Sequence, residues 1–189
     1  YCEIDPKARI AYEASINESP PKAFSDVNEI TGEFDASKKS FGNSSHIKKM
    51  LPNFDVLFAG FPCQPFSSMG LRNGMDDPRG ILFNHIEAIL KIKKPRYFIL
   101  ENVRGIRTIN NGSVMEYIMN QLNLLGYQTT SWMLNSEDYG VPQTRRRIFF
   151  VCFRKDLKVF NFEFPKPTKT NSRLIDFLEN DVEDFVFPN

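Results

Sequence analysis

The sequence has few cysteines and histidines, and this scarcity excludes two classes of protein. The three cysteines stand far apart, at Cys2, Cys63 and Cys152 in a chain of 189 residues. That spacing is unlike the disulfide framework of a small secreted domain, so we expect a reducing compartment and a cytoplasmic location. With only His46 and His85 beside them, no group has the spacing of metal ligands. We therefore expect no structural or catalytic metal.

Long apolar runs and a strong net charge are also missing. No stretch approaches the roughly 18 consecutive apolar residues of a membrane-spanning helix, and no signal peptide is visible, so we expect no membrane partner. The formal net charge is only +1, a total that does not indicate a nucleic-acid-binding protein. Apolar residues are abundant: 41% of the chain is hydrophobic and 18 residues are Phe. This is enough for one globular domain with a sizeable core.

The distribution of charge is more informative than its sum. Residues 91–107 carry six Lys and Arg side chains against the single carboxylate of Glu101, and residues 145–147 are three consecutive arginines. The chain from Asp176 onwards is acidic. A basic face is able to hold phosphate groups, although exposed Lys and Arg are more simply explained as solvated charge.

Short apolar runs alternate with stretches of helical periodicity. Ile81–Lys93 and residues 113–125 show an amphipathic stripe, and Asp5 followed by Pro6 predicts a helix to about residue 17. Strands are predicted at residues 1–3, near 26–27, and at 56–58, 97–100, 128–134 and 148–153, with an irregular excursion at 32–45 and short helices at 46–51 and 173–178. This order predicts the α/β class, with a three-layer, doubly wound, mostly parallel sheet whose last two strands form an antiparallel edge.

The apolar run at residues 56–58 is typical of a strand buried on both faces. Cys63 follows just beyond its carboxyl end, where ligands bind in open α/β sheets. A free cysteine is often only a small buried hydrophobe. The neighbouring Gln64 and Ser67 are polar, however, and Pro and Gly interrupt the loop, which disfavours burial. The local residues leave both interpretations of Cys63 open, a core residue and a nucleophile.

Two further polar sites fall at the same edge of the predicted sheet. Glu101 follows the apolar strand at 97–100, and Arg145 and Arg147 flank the last strand. The absence of a partnered histidine base argues against a thiol protease. At an ordinary pKa near 8.5, Cys63 carries a handicap of about 2 kcal/mol at pH 7, which nearby Arg charge would reduce. A thiol, a carboxyl and a guanidinium together suit attack on an electron-poor planar ring.

Three motifs, in this order, resemble those of the DNA (cytosine-5) methyltransferases of the bacterial type. They are Pro62-Cys63-Gln64, Glu101-Asn102-Val103 and Gln143-x-Arg145-x-Arg147. Together they are specific, whereas any one alone is a weak signal. The resemblance covers nearly the whole chain and implies the S-adenosylmethionine-dependent methyltransferase fold.

The resemblance implies a chemical role for each residue of these motifs. Cys63 thiolate adds to carbon 6 of a cytosine flipped out of duplex DNA, which makes carbon 5 nucleophilic enough to take a methyl group from S-adenosylmethionine. Glu101, as a neutral acid, protonates or hydrogen-bonds ring N3. Arg147 holds O2, where negative charge develops, and Arg145 supports that site. The implied DNA contacts lie in a loop that closes over the base: Gln64, Ser67 and Arg79.

The same resemblance implies a binding site for S-adenosylmethionine. Glu3 is expected to bond the ribose hydroxyls and Asp26 the adenine amino group. Ile4 stands where the family usually has an aromatic residue, so we expect weaker stacking on the adenine. The remaining implied contacts are apolar: Val27 beside the adenine, and Pro62 and Leu82 at the methionine end.

The chain departs from the family mainly in what it lacks. The family's opening Gly-rich loop belongs before residue 1, and its target-recognition domain and closing motifs belong after residue 165. We therefore expect residues 1–165 to be a catalytic domain that is incomplete at the N-terminus. Residues 166–189 are expected to begin the connection towards a recognition domain, which would lie further along a longer protein or on a complementary chain.

Two other functions fit the same residues. A tRNA cytosine-5 methyltransferase would use the same motifs, but Phe61 before Pro62 favours the DNA type, whose members serve restriction–modification or phage and host DNA methylation. A catalytically inactive interaction module would keep the fold and lose the chemistry. The intact Cys63, Glu101 and Arg147 argue against that second alternative.

Overall fold

The computed structural model describes residues 1–16, 22–35, 40–41, 44–61, 81–168 and 172–178. The helices among them are α1 (Pro6–Ile16), α2 (Asn28–Thr31), α3 (Ser44–Met50), α4 (Ile81–Lys93) and α5 (Ser113–Leu124). The strands are β1 (Phe34–Asp35), β2 (Ser40–Phe41), β3 (Val56–Gly60), β4 (Tyr97–Val103), β5 (Tyr127–Asn135) and β6 (Arg146–Arg154). Short 3₁₀ helices lie at Arg104–Arg107, Ile109–Gly112, Ser136–Tyr139, Lys155–Leu157 and Leu174–Phe177.

Local chemistry explains two of the predicted helix ends, the start of α1 and the end of α5. Asp5 caps α1, because its Oδ1 accepts the backbone N–H of Lys7 at 2.8 Å. Gly126 follows α5 with φ of 90°, a left-handed conformation that costs glycine nothing. β4 differs from its prediction, since it continues beyond residue 100 to Val103 and so includes Glu101.

Four strands form the main sheet in the order β3-β4-β6-β5. β3 pairs with β4 in parallel, and β6 is antiparallel to both of its neighbours. β3, β4 and β5 therefore run in one direction, and the predicted antiparallel pairing of the last two strands is confirmed, as is the α/β class. Because β6 lies between β4 and β5, the arginines at its start come to lie beside the carboxyl end of β4.

The core lies between one face of this sheet and the helices α4 and α5. Alternate side chains of β4 and β6 point towards the helices. The core side chains with no exposed surface are Leu90, Phe98, Leu100, Ile106, Ile118, Leu122, Phe150 and Cys152. Truncating such a residue to Ala costs about 2–5 kcal/mol, whereas a surface ion pair contributes about 1 kcal/mol at most. Apolar burial therefore holds the strands in register.

The opposite face of the sheet is open, which corrects the prediction that residues 56–58 are buried on both sides. Val56 is 43% exposed and Phe58 is 72% exposed. The reason is topological: β3 is an edge strand of the described sheet, and α4 and α5 both cover the other face. Part of the open face is covered by aromatic contacts, since the ring of Phe164 stacks on Trp132 at a centroid distance of 6.3 Å.

A smaller cluster joins the N-terminal segments to the sheet. Cys2 and Phe24 form an isolated parallel bridge. Phe24 is buried with Ile30 and Ile89, and Leu57 of β3 packs against them. The two short strand ends that were expected to carry the cofactor contacts are thus held to β3 and α4 by apolar packing.

The prediction of an irregular excursion over residues 32–45 is partly wrong. β1 and β2 form a small antiparallel hairpin with Phe34 opposite Phe41, and α3 begins at Ser44. The Phe41 ring lies 4.5 Å from the ring of His85. His85 is 3% exposed, and its Nδ1 shares a 2.5 Å hydrogen bond with Thr31 Oγ1. His85 therefore has a structural role, packed and hydrogen-bonded inside the fold.

Candidate active site

Glu101 and Arg147 meet at one edge of the sheet, as the sequence predicted. Glu101 lies two residues before the end of β4, and Arg147 is the second residue of β6. Arg147 pairs with Val103, so the two charged side chains lie diagonally across the ladder on the same face. Arg147 Nε lies 2.8 Å from Glu101 Oε1, with 22% of the arginine and 35% of the glutamate side chain exposed. The pair is therefore open to a ligand from solvent.

The surroundings of Glu101 leave room beside its second carboxylate oxygen. Gly60, the last residue of β3, is the cross-strand neighbour of Glu101. A Cβ added at Gly60 would lie 3.5 Å from Glu101 Oε2. Because glycine carries no such atom, no side chain from this position of β3 crowds Oε2, while Oε1 binds Arg147. Among the described residues, one oxygen is thus oriented by the guanidinium and the other is left uncrowded by its cross-strand neighbour.

Two hydrogen bonds from Ser136 hold the connection between β5 and β6. Its backbone N–H donates to Arg145 O at 3.1 Å, and its hydroxyl donates to Gln143 O at 2.5 Å. Arg145 itself is exposed, next to the ion pair in the chain. The structure therefore brings Arg145 to the edge where Glu101 and Arg147 meet, with its side chain towards solvent.

Cys63 lies outside the described residues, together with four other predicted site residues: Pro62, Gln64, Ser67 and Arg79. Phe61 is described, and it is only 6% exposed. The chain leaves β3 at Gly60, beside Glu101, and passes through Phe61 towards Cys63. Phe61 is thus the last described residue before Cys63.

Asn102 is a polar residue of this edge that the predictions did not single out. It is 1% exposed. Its Nδ2 donates to Phe61 O at 2.8 Å, and its Oδ1 accepts the N–H of Val103 at 2.8 Å. The signal was present in the sequence: Asn102 continues the alternation of Phe98 and Leu100, so it is a polar residue in a core-facing position of a strand.

The predicted basic stretch at 91–107 is divided by the sheet. Lys91 to Arg96 precede β4, whereas Arg104 and Arg107 follow it at the edge that carries Glu101. Lys93 is used for structure, since its Nζ donates to Leu51 O at 2.5 Å. The exposed arginines at the Glu101 edge are Arg104, Arg107, Arg145 and Arg146. Positive charge from both parts of the sequence thus collects around the ion pair.

The residues predicted to hold S-adenosylmethionine lie at two adjacent strand ends. Glu3 N donates to Phe24 O at 3.1 Å, which places Glu3 and Ile4 beside the turn that contains Asp26 and Val27. Glu3 Oε1 accepts the N–H of Asp5 at 2.9 Å, and Asp26 Oδ1 accepts the N–H of Asn28 at 2.7 Å. Both carboxylates are therefore held in fixed orientations.

This group of residues fits the adenosine part of the cofactor. Carboxylates accept hydrogen bonds from hydroxyl and amino groups, which are the donors of a ribose and an adenine. Ile4 is 71% exposed, and it offers an uncovered apolar surface next to Glu3. Leu82 lies in the first turn of α4 and is half-buried.

Among the described residues, no group of three or more His, Cys, Asp or Glu is arranged to hold a metal ion.

α4 carries two titratable side chains with shifted pKa values away from the ion pair. Burial lowers the pKa of His85 to about 4, and the charge of Asp26 opposes this shift. Burial raises the pKa of Glu87 to about 7, against the effect of Lys91.

None of the described helices is long and apolar enough to cross a membrane.

Comparisons with known proteins identify the family of this chain. Residues 1–186 match the family model of the C-5 cytosine-specific DNA methylases. The chain is 42% identical over 187 residues to the type II methyltransferase M.HaeII of Haemophilus aegyptius, covering 99% of the chain and 51% of that protein. It is 39% identical over 181 residues to the type II methyltransferase M.HhaI of Haemophilus parahaemolyticus, covering 96% of the chain and 50% of that protein.

A solved structure shows the same fold. The methyltransferase EhMeth of Entamoeba histolytica superposes with a TM-score of 0.70 at 22% identity, over 96% of this chain and 52% of that one. The chain spans about half the length of the curated relatives it matches. Its motifs, its sheet and the family match over almost its whole length agree, and the chain belongs to the C-5 cytosine-specific DNA methylase family.

Proposed function

We propose that the protein transfers a methyl group from S-adenosylmethionine to carbon 5 of a cytosine in duplex DNA. The observation that carries this proposal is the Glu101–Arg147 pair, 2.8 Å apart, at the edge where the chain leads from Phe61 to Cys63. A carboxyl, a guanidinium and a thiol are the three groups that nucleophilic attack on a pyrimidine ring requires. The thiolate adds to carbon 6, and the other two groups polarise the ring. Once carbon 5 has taken the methyl group, loss of the proton from carbon 5 expels the thiolate from carbon 6 and restores the ring.

In this proposal the ion pair is the resting arrangement of the site. A cytosine that enters the site would take Arg147 as the partner of its O2 atom, because planar N–H donors bind an oxygen on which negative charge develops. Glu101 would then face ring N3, to which it would give a proton or a hydrogen bond as a neutral acid.

The thiol of Cys63 must ionise before it attacks. At an ordinary pKa of about 8.5, a few per cent of the thiol is ionised at pH 7. The exposed arginines at this edge, Arg104, Arg107, Arg145 and Arg146, stabilise negative charge nearby. The same charges would attract the phosphates of DNA in a manner that depends on salt and not on sequence. Gln64, Ser67 and Arg79 remain proposed DNA contacts.

S-Adenosylmethionine, when bound, supplies an electrophilic methyl group. We propose that Glu3 and Asp26 hold its adenosine part, since their carboxylates are fixed at adjacent strand ends. Ile4 and Val27 would pack on the adenine. Pro62 and Leu82 would line the methionine end.

The relatives suggest the biological setting. M.HaeII and M.HhaI are named type II methyltransferases, so we propose a role in restriction–modification or in methylation of phage or host DNA, in the cytoplasm. Residues 1–165 would form the catalytic domain, and 166–189 would lead towards a recognition domain in the same protein or on a complementary chain.

A methyl-transfer assay separates this function from its rivals. The full-length protein is mixed with methyl-labelled S-adenosylmethionine and either duplex DNA or tRNA, and the modified base is identified by mass spectrometry. We expect 5-methylcytosine in the DNA and none in the tRNA. Label in tRNA alone would establish the RNA enzyme instead. Label in neither, with intact cofactor binding, would indicate an inactive interaction module.

A further inference from the structure

Asn102 links the strand that carries Glu101 to the segment that leads to Cys63. Its Nδ2 donates to Phe61 O, just beyond β3, and its Oδ1 accepts the N–H of Val103 in its own strand, both at 2.8 Å. The residue is 1% exposed. One partner is an acceptor and the other a donor, so only one orientation of the amide satisfies both bonds.

The hydrogen bond from Asn102 and the packing of its own ring leave Phe61 little freedom. Its side chain is buried and lies against Phe83, with ring centroids 5.6 Å apart. Its carbonyl is held by Asn102. The next residue, Pro62, has no N–H to donate and restricts Phe61 to extended backbone conformations. The carbonyl of Phe61 is therefore the last backbone group before Cys63 that the described residues fix through a hydrogen bond from a neighbouring strand.

We propose that Asn102 is a positioning residue for Cys63. By fixing the Phe61 carbonyl to β4, it sets the position of the thiol relative to Glu101, which directly precedes Asn102 in the same strand. This inference rests on the proposed function, because it assigns Cys63 as the nucleophile. An error of about 1 Å in the position of a reacting group costs up to about 100-fold in rate, so one buried amide is able to control the covalent step.

The first test measures formation of the covalent adduct. Full-length wild-type protein and the Asn102→Ala variant are mixed with saturating duplex that contains 5-fluorocytosine and with S-adenosylmethionine, and adduct is counted in a single turnover. We expect Asn102→Ala to form adduct about 10- to 100-fold more slowly, with DNA affinity changed by less than about threefold. A wild-type rate in this variant would overturn the proposal.

The chain offers a matched control in Tyr127→Phe. Tyr127 is 1% exposed, and its hydroxyl donates to the backbone carbonyl of Pro95 at 2.8 Å. The bond has the same length and burial as that from Asn102 to Phe61, but it lies at the amino end of β4. Tyr127→Phe should lose a similar amount of thermal stability and keep the wild-type adduct rate. Equal slowing in both variants would show that general destabilisation, and not positioning, governs the rate.

The conservative variant Asn102→Asp adds a second test, the pH dependence of the adduct rate, which a purely structural role of Asn102 would not change. An ionised Asp is unable to donate to Phe61 O, whereas a protonated one donates through its O–H. The adduct rate of Asn102→Asp, divided by the wild-type rate at the same pH, should therefore rise as the pH is lowered. A ratio that does not change with pH would count against the proposed hydrogen bond.

A second measurement does not depend on catalysis. Hydrogen–deuterium exchange should accelerate in the peptide over residues 61–68 and at the Val103 amide in Asn102→Ala, but not in Tyr127→Phe. If wild-type protein forms no adduct, the proposed function fails, and exchange still tests whether Asn102 anchors the segment. Unchanged exchange in Asn102→Ala would overturn the anchoring itself.

Discussion

Arg147 Nε lies 2.8 Å from Glu101 Oε1 across the antiparallel pair β4 and β6. These residues are 46 positions apart in the sequence, and their contact depends on the insertion of β6 between β4 and β5. Both side chains are partly exposed, and exposed ion pairs contribute about 1 kcal/mol or less to stability. Such a small contribution to stability does not account for the presence of the pair. Its location favours a role in ligand binding.

Glu101→Gln separates acid catalysis from folding. The variant keeps the shape of the side chain and part of its hydrogen bonding, but it has no acidic proton to give to N3. We expect turnover to fall by about 100-fold or more, while the thermal midpoint changes little because the lost ion pair is weak. Steady-state methyl transfer and a thermal melt measure the two quantities. Equal turnover in both proteins would remove Glu101 from the mechanism.

Arg147→Lys tests whether geometry or charge matters at the second position. Lysine keeps the charge but loses the planar guanidinium, so it is a poor substitute where two N–H groups must meet one ligand. We expect turnover to fall at least tenfold, with the salt dependence of DNA binding unchanged.

Arg154→Lys is the matched control for Arg147→Lys. Arg154 ends the same strand, and its Nε lies 2.7 Å from Asp156 Oδ1 at the opposite edge of the sheet. Its replacement should leave turnover at the wild-type level. A similar loss of turnover in both variants would mean that β6 tolerates no change at either end. It would contradict a specific role for Arg147.

The sequence predicted the individual helices and long strands of this fold better than it predicted how they pack and pair with one another. The bounds of α4 were predicted correctly because its apolar stripe has helical spacing along its whole length. The exposure of Phe58 was missed because an apolar run does not reveal which face of its strand is covered. The hairpin of β1 and β2 was missed because strands of two residues have no measurable alternation.

For the candidate site, too, the sequence predicted where residues lie along the strands but not which residues they contact. The motifs placed Glu101 and Arg147 at strand ends, but their 2.8 Å contact follows from strand order, which local sequence does not encode. Asn102 was quoted only as part of a motif, although its polar side chain in a core-facing strand position marks a residue that must have buried partners. The residues from Pro62 to Arg79 remain a sequence prediction.

His85 should make stability depend on pH. Its pKa is lowered to about 4 by burial, compared with about 6.5 in the unfolded chain. Between these values the unfolded chain binds a proton that the folded chain does not, so the free energy of unfolding falls as the pH drops from 6.5 towards 4. The full shift corresponds to about 3 kcal/mol at most.

Urea unfolding at pH 7 and pH 4.5 measures this effect in wild type and in His85→Gln. We expect the variant to lose less stability than wild type between the two pH values. Glu87, whose pKa is raised to about 7, acts in the opposite direction, but it is present in both proteins and cancels in the comparison. Identical losses in the two proteins would contradict the neutral, buried state of His85.

The most direct test of the account is whether Cys63 forms a covalent bond to cytosine. Full-length protein is incubated with duplex that contains 5-fluorocytosine and with S-adenosylmethionine, because fluorine at carbon 5 prevents release of the base after methyl transfer. The adduct is resolved on a denaturing gel and mapped by mass spectrometry. The account predicts an adduct on the peptide that contains Cys63, and none in Cys63→Ser. An equal amount of adduct in Cys63→Ser, or an adduct mapped to Cys2 or Cys152, would contradict it.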